Sequence, residues 1–262
     1  MRSFCVISYC IIFVALVSAD TTWSQVKSFE FDGLSLIWTA DYDKNEQVYF
    51  SDYKEDTWSA PIQISNSEFH VFHAAGAIAH DGTIWCVWTQ VDKKGVFLYS
   101  ATYVKDSWSK PAKIHTGMVD NRDVVIVMDS KDTPWIAWTA VDDTYSDVFW
   151  SRWNGTGWSM AHKAHSDDNV PDVKPLLKSN INGNIELSWD TFSDGNSVTV
   201  SLQWDGEAWI ESSLDMRKKE LVIEKRRSHS LPRLPKFIRE HYKASFFYRD
   251  NHGAGAIAVK RK

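Results

Sequence analysis

The chain has 262 residues, of which 44% are hydrophobic and 24% are charged, and 14 of them are tryptophan. This composition is typical of a globular protein and excludes a disordered, collagen-like or coiled-coil chain. Residues 20–214 carry a net charge of −15, whereas residues 215–262 carry +9. Because the acidic part is much the larger, we do not expect the whole chain to bind nucleic acid.

The first nineteen residues have the pattern of a secretory signal peptide. Arg2 supplies the positive start, an apolar run extends from Val6 to Val17, and Val17-Ser18-Ala19 forms a small-residue cleavage site. The alternative is a membrane anchor, but this run of about twelve residues is shorter than the roughly twenty that span a bilayer. No later stretch is apolar enough to do so. We therefore predict an exported protein without a transmembrane segment.

The cysteines do not predict an internal disulfide. Cys5 and Cys10 fall within the signal peptide, which leaves Cys86 alone in the mature chain. Cys86 lies in the apolar segment 84–88, so we predict that it is a small core residue rather than a reactive thiol. The stability of the exported protein must then come from packing.

Two sets of tryptophans recur at a fixed period along the chain. Each set advances by 50, 50 and 51 residues, and the surrounding sequence is repeated as well. For example, Trp58-Ser59-Ala60-Pro61 returns as Trp108-Ser109-Lys110-Pro111. The two sets are Trp38, Trp88, Trp138 and Trp189, and Trp58, Trp108, Trp158 and Trp209. A period of about fifty residues indicates a repeat architecture.

Every repeat divides into four short segments of strand character, separated by turn-forming residues. The predicted strands are 24–31, 34–40, 47–53 and 58–64; 73–80, 83–90, 96–103 and 108–114; 123–129, 134–140, 147–153 and 158–164; and 173–180, 184–191, 198–204 and 208–213. Four antiparallel strands per repeat of this length are typical of a propeller blade. We therefore predict an all-β propeller over residues 20–214, with four clear blades and with the tryptophans packed between neighbouring blades.

Residues 215–262 lack the tryptophan pattern. Ala244–Asp250 and Ala256–Lys260 resemble the second and third strands of a blade, which predicts an irregular fifth blade that the N-terminal strand completes. The alternatives are a four-bladed ring with an appended tail and a truncated larger ring. The basic segment 215–240, with Pro232 and Pro235, is predicted to be a disordered insert.

The hairpin between the third and fourth strands carries a degenerate motif. It reads Ser51-x-Tyr53-x-Glu55-x-x-Trp58 in the first repeat and Ser151-x-Trp153-x-Gly155-x-x-Trp158 in the third. The second repeat keeps Trp108 of this motif, and the fourth keeps Gly206 and Trp209. The motif is similar to the Asp box, Ser-x-Asp-x-Gly-x-x-Trp, with an aromatic residue in place of the aspartate. The repeats thus resemble the bacterial neuraminidase repeats of the sialidase superfamily of propellers.

This resemblance implies a glycoside hydrolase site with three arginines that clamp a substrate carboxylate, a tyrosine nucleophile activated by a glutamate, and an aspartate acid/base. Bidentate guanidinium groups suit a carboxylate. Residues 20–214 contain only Arg122 and Arg152, and Arg249 in the tail is a further candidate. Because a third arginine on the same rim and a Tyr–Glu pair are not evident, we predict a non-catalytic propeller and keep a sialidase-like hydrolase as the alternative.

Propeller geometry predicts which loops form a binding face. The loops between the second and third strands, and the crossings from blade to blade, share one face around the central channel. Both kinds of loop are rich in carboxylates and imidazoles. The candidate ligand-binding residues on this face are His73, Asp92, Arg122, Asp123, Asp142, Asp172 and Arg249. Ordinary turn chemistry is the alternative explanation for the aspartates.

The sequence predicts no catalytic residue, no metal ligand set and no cofactor. Ca²⁺ held by the oxygens of clustered carboxylates is the one cofactor that we keep as an alternative. The pairs His70/His73 and His162/His165 do not have the spacing of a zinc site. Asn154-Gly155-Thr156 is an N-glycosylation sequon, which matters only in a eukaryotic secretory pathway.

These observations predict an exported binding module that contacts carbohydrate or a cell-surface partner through its loops. The first alternative is the sialidase-like hydrolase. The second is a protein-interaction scaffold, for which a flat, apolar-rimmed face rather than a polar pocket is expected.

Overall fold

The computed structural model describes residues 33–41, 45–55, 57–142, 144–166, 168–179, 183–193, 195–212, 244–250 and 253–259, the last two ranges as backbone only. Their regular structure consists of β-strands, as predicted. This part of the chain contains no helix with the length and apolar character needed to cross a membrane. The predicted signal peptide, the strand predicted over 24–31 and the basic segment 215–240 lie outside the described residues.

Four antiparallel sheets follow one another along the chain, one for each repeat. The first sheet contains β1 (Gly33–Ala40), β2 (Gln47–Lys54), β3 (Thr57–Trp58) and β4 (Ile62–Gln63). The second contains β5 (Val71–Ile78), β6 (Ile84–Asp92), β7 (Gly95–Val104), β8 (Ser107–Trp108) and β9 (Ala112–Ile114). The third contains β10 (Asn121–Met128), β11 (Pro134–Asp142), β12 (Tyr145–Arg152) and β13 (His162–Lys163). The fourth contains β14 (Asp172–Ser179), β15 (Ile185–Ser193), β16 (Asn196–Trp204) and β17 (Trp209–Glu211).

The outermost strands are shorter than the sequence predicted. In the first and second sheets the predicted fourth strand is broken into two short pieces, and Pro61 and Pro111 lie in the breaks. Proline has no N–H to donate to a sheet, so it is confined to strand edges, strand starts and bulges, and here it lies at the edge. The remaining predicted strands of the four repeats that lie within the described residues agree with the structure to within a few residues.

The first strands of the later sheets face one another. β5 lies against β10, and β10 lies against β14, so these are the inner strands of a propeller. The sheets therefore radiate from a common axis, and the all-β propeller predicted from the tryptophan period is confirmed.

The C-terminal strands β18 (Ala244–Asp250) and β19 (Gly253–Val259) form a hairpin that extends the first sheet. β18 pairs with β1 in antiparallel register from Gly33 opposite Arg249 to Trp38 opposite Ala244. This arrangement differs from the predicted fifth blade, because β18 takes the place beside β1 that the first strand of a blade takes in the other three sheets. The backbone groups along the free edge of β1 need hydrogen-bond partners, and β18 supplies them. β19 in turn lies against β5, β10 and β14 near the axis.

The first set of tryptophans forms the centre of each sheet. Trp38, Trp88, Trp138 and Trp189 are fully buried. Three of them stack on the aromatic residue opposite in the next strand, with ring centroids 5.8–6.0 Å apart, in the pairs Trp38–Tyr49, Trp88–Tyr99 and Trp138–Phe149. In the fourth sheet the residue opposite Trp189 is Val200, and the ring of His165 stacks on Trp189 instead.

Three tryptophans of the second set join neighbouring sheets. Trp108 meets Phe50 of the first sheet edge-on at 5.2 Å. Trp158 meets Trp85 of the second sheet at 5.7 Å, and Trp209 meets Trp135 of the third at 6.1 Å. Three apolar clusters among the described residues likewise combine side chains from two successive sheets. The predicted packing of tryptophan between blades is confirmed.

Cys86 is a buried member of the cluster between the first and second sheets, as predicted. Burial raises the pKa of its thiol well above the ordinary value, because the thiolate would lose its hydration. A buried thiol with a raised pKa is unreactive.

Replacement of Trp88 by alanine tests the role of interblade packing. Trp88 is 0% exposed and lies between the first and second sheets, so we expect the free energy of unfolding to fall by about 3–5 kcal/mol. Urea denaturation followed by circular dichroism measures this change. The matched control is Met160→Ala, since Met160 is 78% exposed and should change the free energy by less than about 0.5 kcal/mol. Equal effects of the two substitutions would contradict the packing argument.

Candidate binding site on the loop face

All the candidate residues except Arg249 belong to one face of the propeller, at which β5, β10 and β14 begin and β6, β11 and β15 end. We call it the loop face, and the opposite one the turn face. The crossings from sheet to sheet lie here, as predicted. The second crossing joins the second sheet to the third, and the third crossing joins the third sheet to the fourth. The backbone N–H of Val96 in β7 donates to the carbonyl oxygen of Val119 in the second crossing at 2.8 Å, which ties this crossing to β7.

Each inner strand of the later sheets contains a β-bulge close to the loop face. The pairing register shifts between Phe72 and Ala75, and at the corresponding positions of β10 and β14. One residue in each bulge has a left-handed backbone, with φ of 51°, 52° and 57° for His73, Asp123 and Lys174. Residues other than glycine rarely adopt this conformation, and bulges commonly redirect a side chain. The three bulges therefore present three polar side chains at equivalent positions of adjacent inner strands.

His73 and Asp123, both predicted from the sequence, contact each other across the boundary between the second and third sheets. The Nε2 atom of His73 lies 3.1 Å from Oδ1 of Asp123. The backbone N–H of Asp123 donates to Nδ1 of the same ring at 3.4 Å. Because Nδ1 accepts this hydrogen bond, the ring proton is assigned to Nε2, which donates to the carboxylate. Both side chains remain about one-third exposed, so they can also contact a ligand.

Arg122 lies beside this pair and is engaged by Asp120. Its Nε donates to Oδ1 at 2.8 Å and its Nη2 to Oδ2 at 3.2 Å, which is a bidentate ion pair. The hydrogen bond from the guanidinium to Asp120 raises the pKa of Arg122. Asp120 lies in the same crossing and was not among the site residues predicted from the sequence.

Asp92 lies at the end of β6 and accepts a hydrogen bond from the backbone N–H of Lys94 at 2.6 Å. This bond, together with the charge of Lys113, lowers the pKa of Asp92. The ammonium of Lys113 lies 3.5 Å from Asp92 and 3.0 Å from the ring centroid of Phe97. Phe97 and Lys113 line an open cavity of about 300 Å³ along the second crossing, between Ile114 and Val119.

Asp172 is the first residue of β14 and contacts His165 of the third crossing. The hydrogen bond with Asp172 raises the pKa of His165, because it favours the protonated ring. Asp147 at the start of β12 completes this group. Asp147 was not predicted from the sequence, because a charged residue near the start of a strand is usually exposed. The structure shows that it is buried.

Two of the predicted residues have no described side chain. Asp142 ends β11 on the loop face, with its backbone opposite Tyr145. Arg249 was predicted near the end of a second strand, which would place it on the loop face. In the structure β18 pairs antiparallel with β1, so it runs in the direction opposite to that of a second strand. Arg249 lies opposite Gly33, the first residue of β1, and its backbone is therefore towards the turn face.

The two arginines whose side chains are described do not form a common clamp. Arg122 pairs with Asp120 near the loop face, whereas Arg152 ends β12 at the turn face. Their partners in β11 are Thr139 and Trp135, which are four residues or about 13 Å of strand apart. The guanidinium of Arg152 lies over the rings of Trp135 and Trp204, at 5.3 and 5.8 Å.

No family model matches the chain. No curated protein matches it either. Its fold is similar to that of a protein of unknown function from Dyadobacter fermentans DSM 18053, with 14% identity and a TM-score of 0.52 over 84% of this chain and 70% of that one. It is also similar to the Hadza microbial sialidase Hz136, with 14% identity and a TM-score of 0.52 over 71% of this chain and 46% of that one. The chain thus spans less than half of the sialidase. At this identity the likeness concerns the fold alone.

The close approach of Gly95 to the second crossing provides a test of how the loop face is held. A Cβ atom at Gly95 would lie 2.1 Å from the carbonyl oxygen of Val119, whereas one at Gly195 would meet nothing within 4 Å. Both glycines have positive φ, 153° at Gly95 and 77° at Gly195, so both alanine variants carry backbone strain, and Gly95→Ala adds the clash with Val119. We expect Gly95→Ala to lose clearly more stability than Gly195→Ala in urea denaturation. Equal losses would show that the crossing yields without cost.

Proposed function

We propose that the protein is an exported, non-catalytic binding module that takes carbohydrate on its loop face. The observation that supports this most directly is the row of bulge side chains, His73, Asp123 and Lys174, on three adjacent inner strands. Left-handed backbone at a residue other than glycine costs of order 1–3 kcal/mol and is concentrated at functional sites. Three such positions in equivalent places therefore favour a functional role for the side chains.

The chemistry of the row suits a polyhydroxylated ligand. A carboxylate accepts hydrogen bonds, an ammonium donates them, and an imidazole does both, whereas a sugar hydroxyl donates one and accepts two. Lys174 lies 3.6 Å from Asp190 and its side chain is largely exposed, so a further donor and acceptor adjoin the row. The open cavity beside Lys113 and Phe97 continues the same face.

The absence of catalysis is part of the proposal. A sialidase-like mechanism requires several arginines on one carboxylate, and Arg122 is already paired with Asp120 while Arg152 lies at the other end of the sheet. The fold that the chain shares with a sialidase is then used for recognition. We also propose that Ca²⁺ held by loop carboxylates contributes to binding. A loss of glycan binding after chelation would support this role of Ca²⁺.

The pair His80–Asp132 provides a matched control for a test of this site. It joins the same two sheets as His73–Asp123, but at the turn face, where the backbone N–H of His80 also donates to Asp132 at 2.8 Å. We expect Asp123→Asn to weaken glycan binding by about 10–150-fold, since a hydrogen bond to a charged group contributes about 1.5–3 kcal/mol. Asp132→Asn should leave the affinity unchanged.

A glycan-array screen of the purified protein identifies the ligand, and isothermal titration of the best glycan compares the two variants. Equal affinities of the wild type and Asp123→Asn would overturn the assignment of the site. Failure of a folded wild-type sample to bind any glycan would overturn the choice of ligand.

A protein partner is the second candidate, and a group of exposed apolar side chains favours it. Val141, Tyr145, Phe192 and Val198 are exposed on the hairpins of the third and fourth sheets at the loop face. Exposed apolar groups of this kind occur at protein interfaces. The absence of glycan binding by folded protein would favour this candidate.

A further inference from the structure

Three side chains meet at the boundary between the third and fourth sheets. Asp147 comes from β12, His165 from the third crossing and Asp172 from the start of β14. One donor atom from each, an oxygen or a ring nitrogen, lies within 4.8 Å of the other two. Since the chain reaches this point from three separate segments, spacing in the sequence does not reveal the group.

The two carboxylates are removed from water. The side chain of Asp172 is 0% exposed and that of Asp147 is 8% exposed, whereas His165 is 23% exposed. The Oδ2 atom of Asp172 contacts Nε2 of His165. Its second oxygen, Oδ1, is buried and has no hydrogen-bond partner among the described residues. An unsatisfied buried carboxylate oxygen is costly, so this position calls for a ligand that can pair with it.

The two earlier sheet boundaries contain a different chemistry at the equivalent positions. Between the first and second sheets, Ser65 and Gln47 form a neutral hydrogen bond of 2.7 Å. Between the second and third sheets, Phe97 lies at the position equivalent to Asp147. Asn121 lies at the position equivalent to Asp172 and donates to two backbone carbonyls. The propeller architecture therefore does not require charged groups here. Among the three boundaries between successive described sheets, the Asp–His–Asp group occurs at the third alone.

The orientation of the imidazole is fixed by packing. The ring of His165 stacks on Trp189 at 5.2 Å with an interplanar angle of 14°. The stacked ring can therefore turn little, and its Nε2 atom stays directed towards Asp172. A ligand that is held in place by its surroundings is the usual condition of a metal site.

We propose that Asp147, His165 and Asp172 form a binding site for a divalent transition-metal ion of the Zn²⁺ class. One imidazole and two carboxylates are ligands that bind Zn²⁺ in proteins. With three protein ligands, the fourth coordination position of a tetrahedral ion stays open to solvent. Ca²⁺ and Mg²⁺ prefer oxygen ligands alone, so the imidazole disfavours them. The ion would join the third crossing to both adjacent sheets.

Lys163 is the group with which the ion must compete. Its ammonium lies 3.1 Å from Oδ2 of Asp147, and its side chain is 25% exposed. A bound dication would take over the neutralisation of Asp147, and the ammonium would move towards solvent. Asp168 lies at the outer side of His165, with Oδ2 4.0 Å from Nδ1.

Titration of the metal-stripped protein with ZnCl₂, followed by isothermal calorimetry, tests the site. We expect one equivalent to bind, with higher affinity than Ca²⁺ or Mg²⁺, and to raise the melting temperature. Asp172→Asn and His165→Gln should each lower the affinity at least about 100-fold, since even partners outside the ligand set contribute 10–100-fold. Asp132→Asn, in the His–Asp pair on the turn face, is the matched control and should not change it.

Lys163→Gln keeps the test decisive if a ligand variant fails to fold. It removes the competing ammonium, so we expect Zn²⁺ to bind several-fold more tightly than to the wild type. An ion-pair network without a metal function would not produce this gain. Absence of stoichiometric binding by the folded wild type would overturn the proposal, and so would a Zn²⁺ affinity that Lys163→Gln and His165→Gln leave unchanged.

Discussion

The burial of tryptophan between successive sheets is the interaction on which the rest of the molecule depends. A single blade cannot cover both of its faces. Cys86, the only cysteine among the described residues, is free, so these residues are held together by packing and not by a disulfide. The large indole rings fill this need in two ways. Three members of the first set stack on an aromatic residue of their own sheet, and three members of the second set meet the preceding sheet edge-on. Because aromatic side chains bury large areas and edge-to-face contacts are favourable, a few residues per repeat hold adjacent sheets in a fixed relation.

That fixed relation positions polar groups from neighbouring sheets against each other. His73 contacts Asp123 at the loop face, and His80 contacts Asp132 at the turn face, so the inner strands β5 and β10 are joined at both ends. The boundary between the third and fourth sheets is joined by a different group, in which His165 of the crossing contacts Asp172 and lies close to the buried carboxylate of Asp147. Similar sheets packed around one axis thus carry different polar groups at their boundaries, which is how a repeat architecture gives each boundary its own properties.

Much of the fold could be predicted from the sequence, because the period of the tryptophans and the strand-forming segments reflect local packing that is repeated. The site was only partly predictable. His73 and Asp123 were chosen for their position after a crossing, and their contact depends on a bulge that leaves no signal in the sequence. Asp147 was missed, since its burial follows from the neighbouring sheet. The sequence predicted Arg249 on the loop face, whereas its backbone lies towards the turn face. The direction of β18 depends on which strand it pairs with, and its partner β1 lies far away in the sequence.

The pairing of β18 with β1 has a consequence for the order in which the molecule folds. The second, third and fourth sheets are built from strands that are adjacent in sequence, so each can form as a local unit soon after it is synthesised. The first sheet joins segments from near opposite ends of the described chain, and the entropy of closing so long a loop must be overcome before their contacts form. During synthesis, the edge of β1 therefore stays without this partner until β18 has emerged. An unpaired strand edge favours association with other chains, so we expect the nascent protein to be exposed to aggregation at β1 until β18 pairs with it.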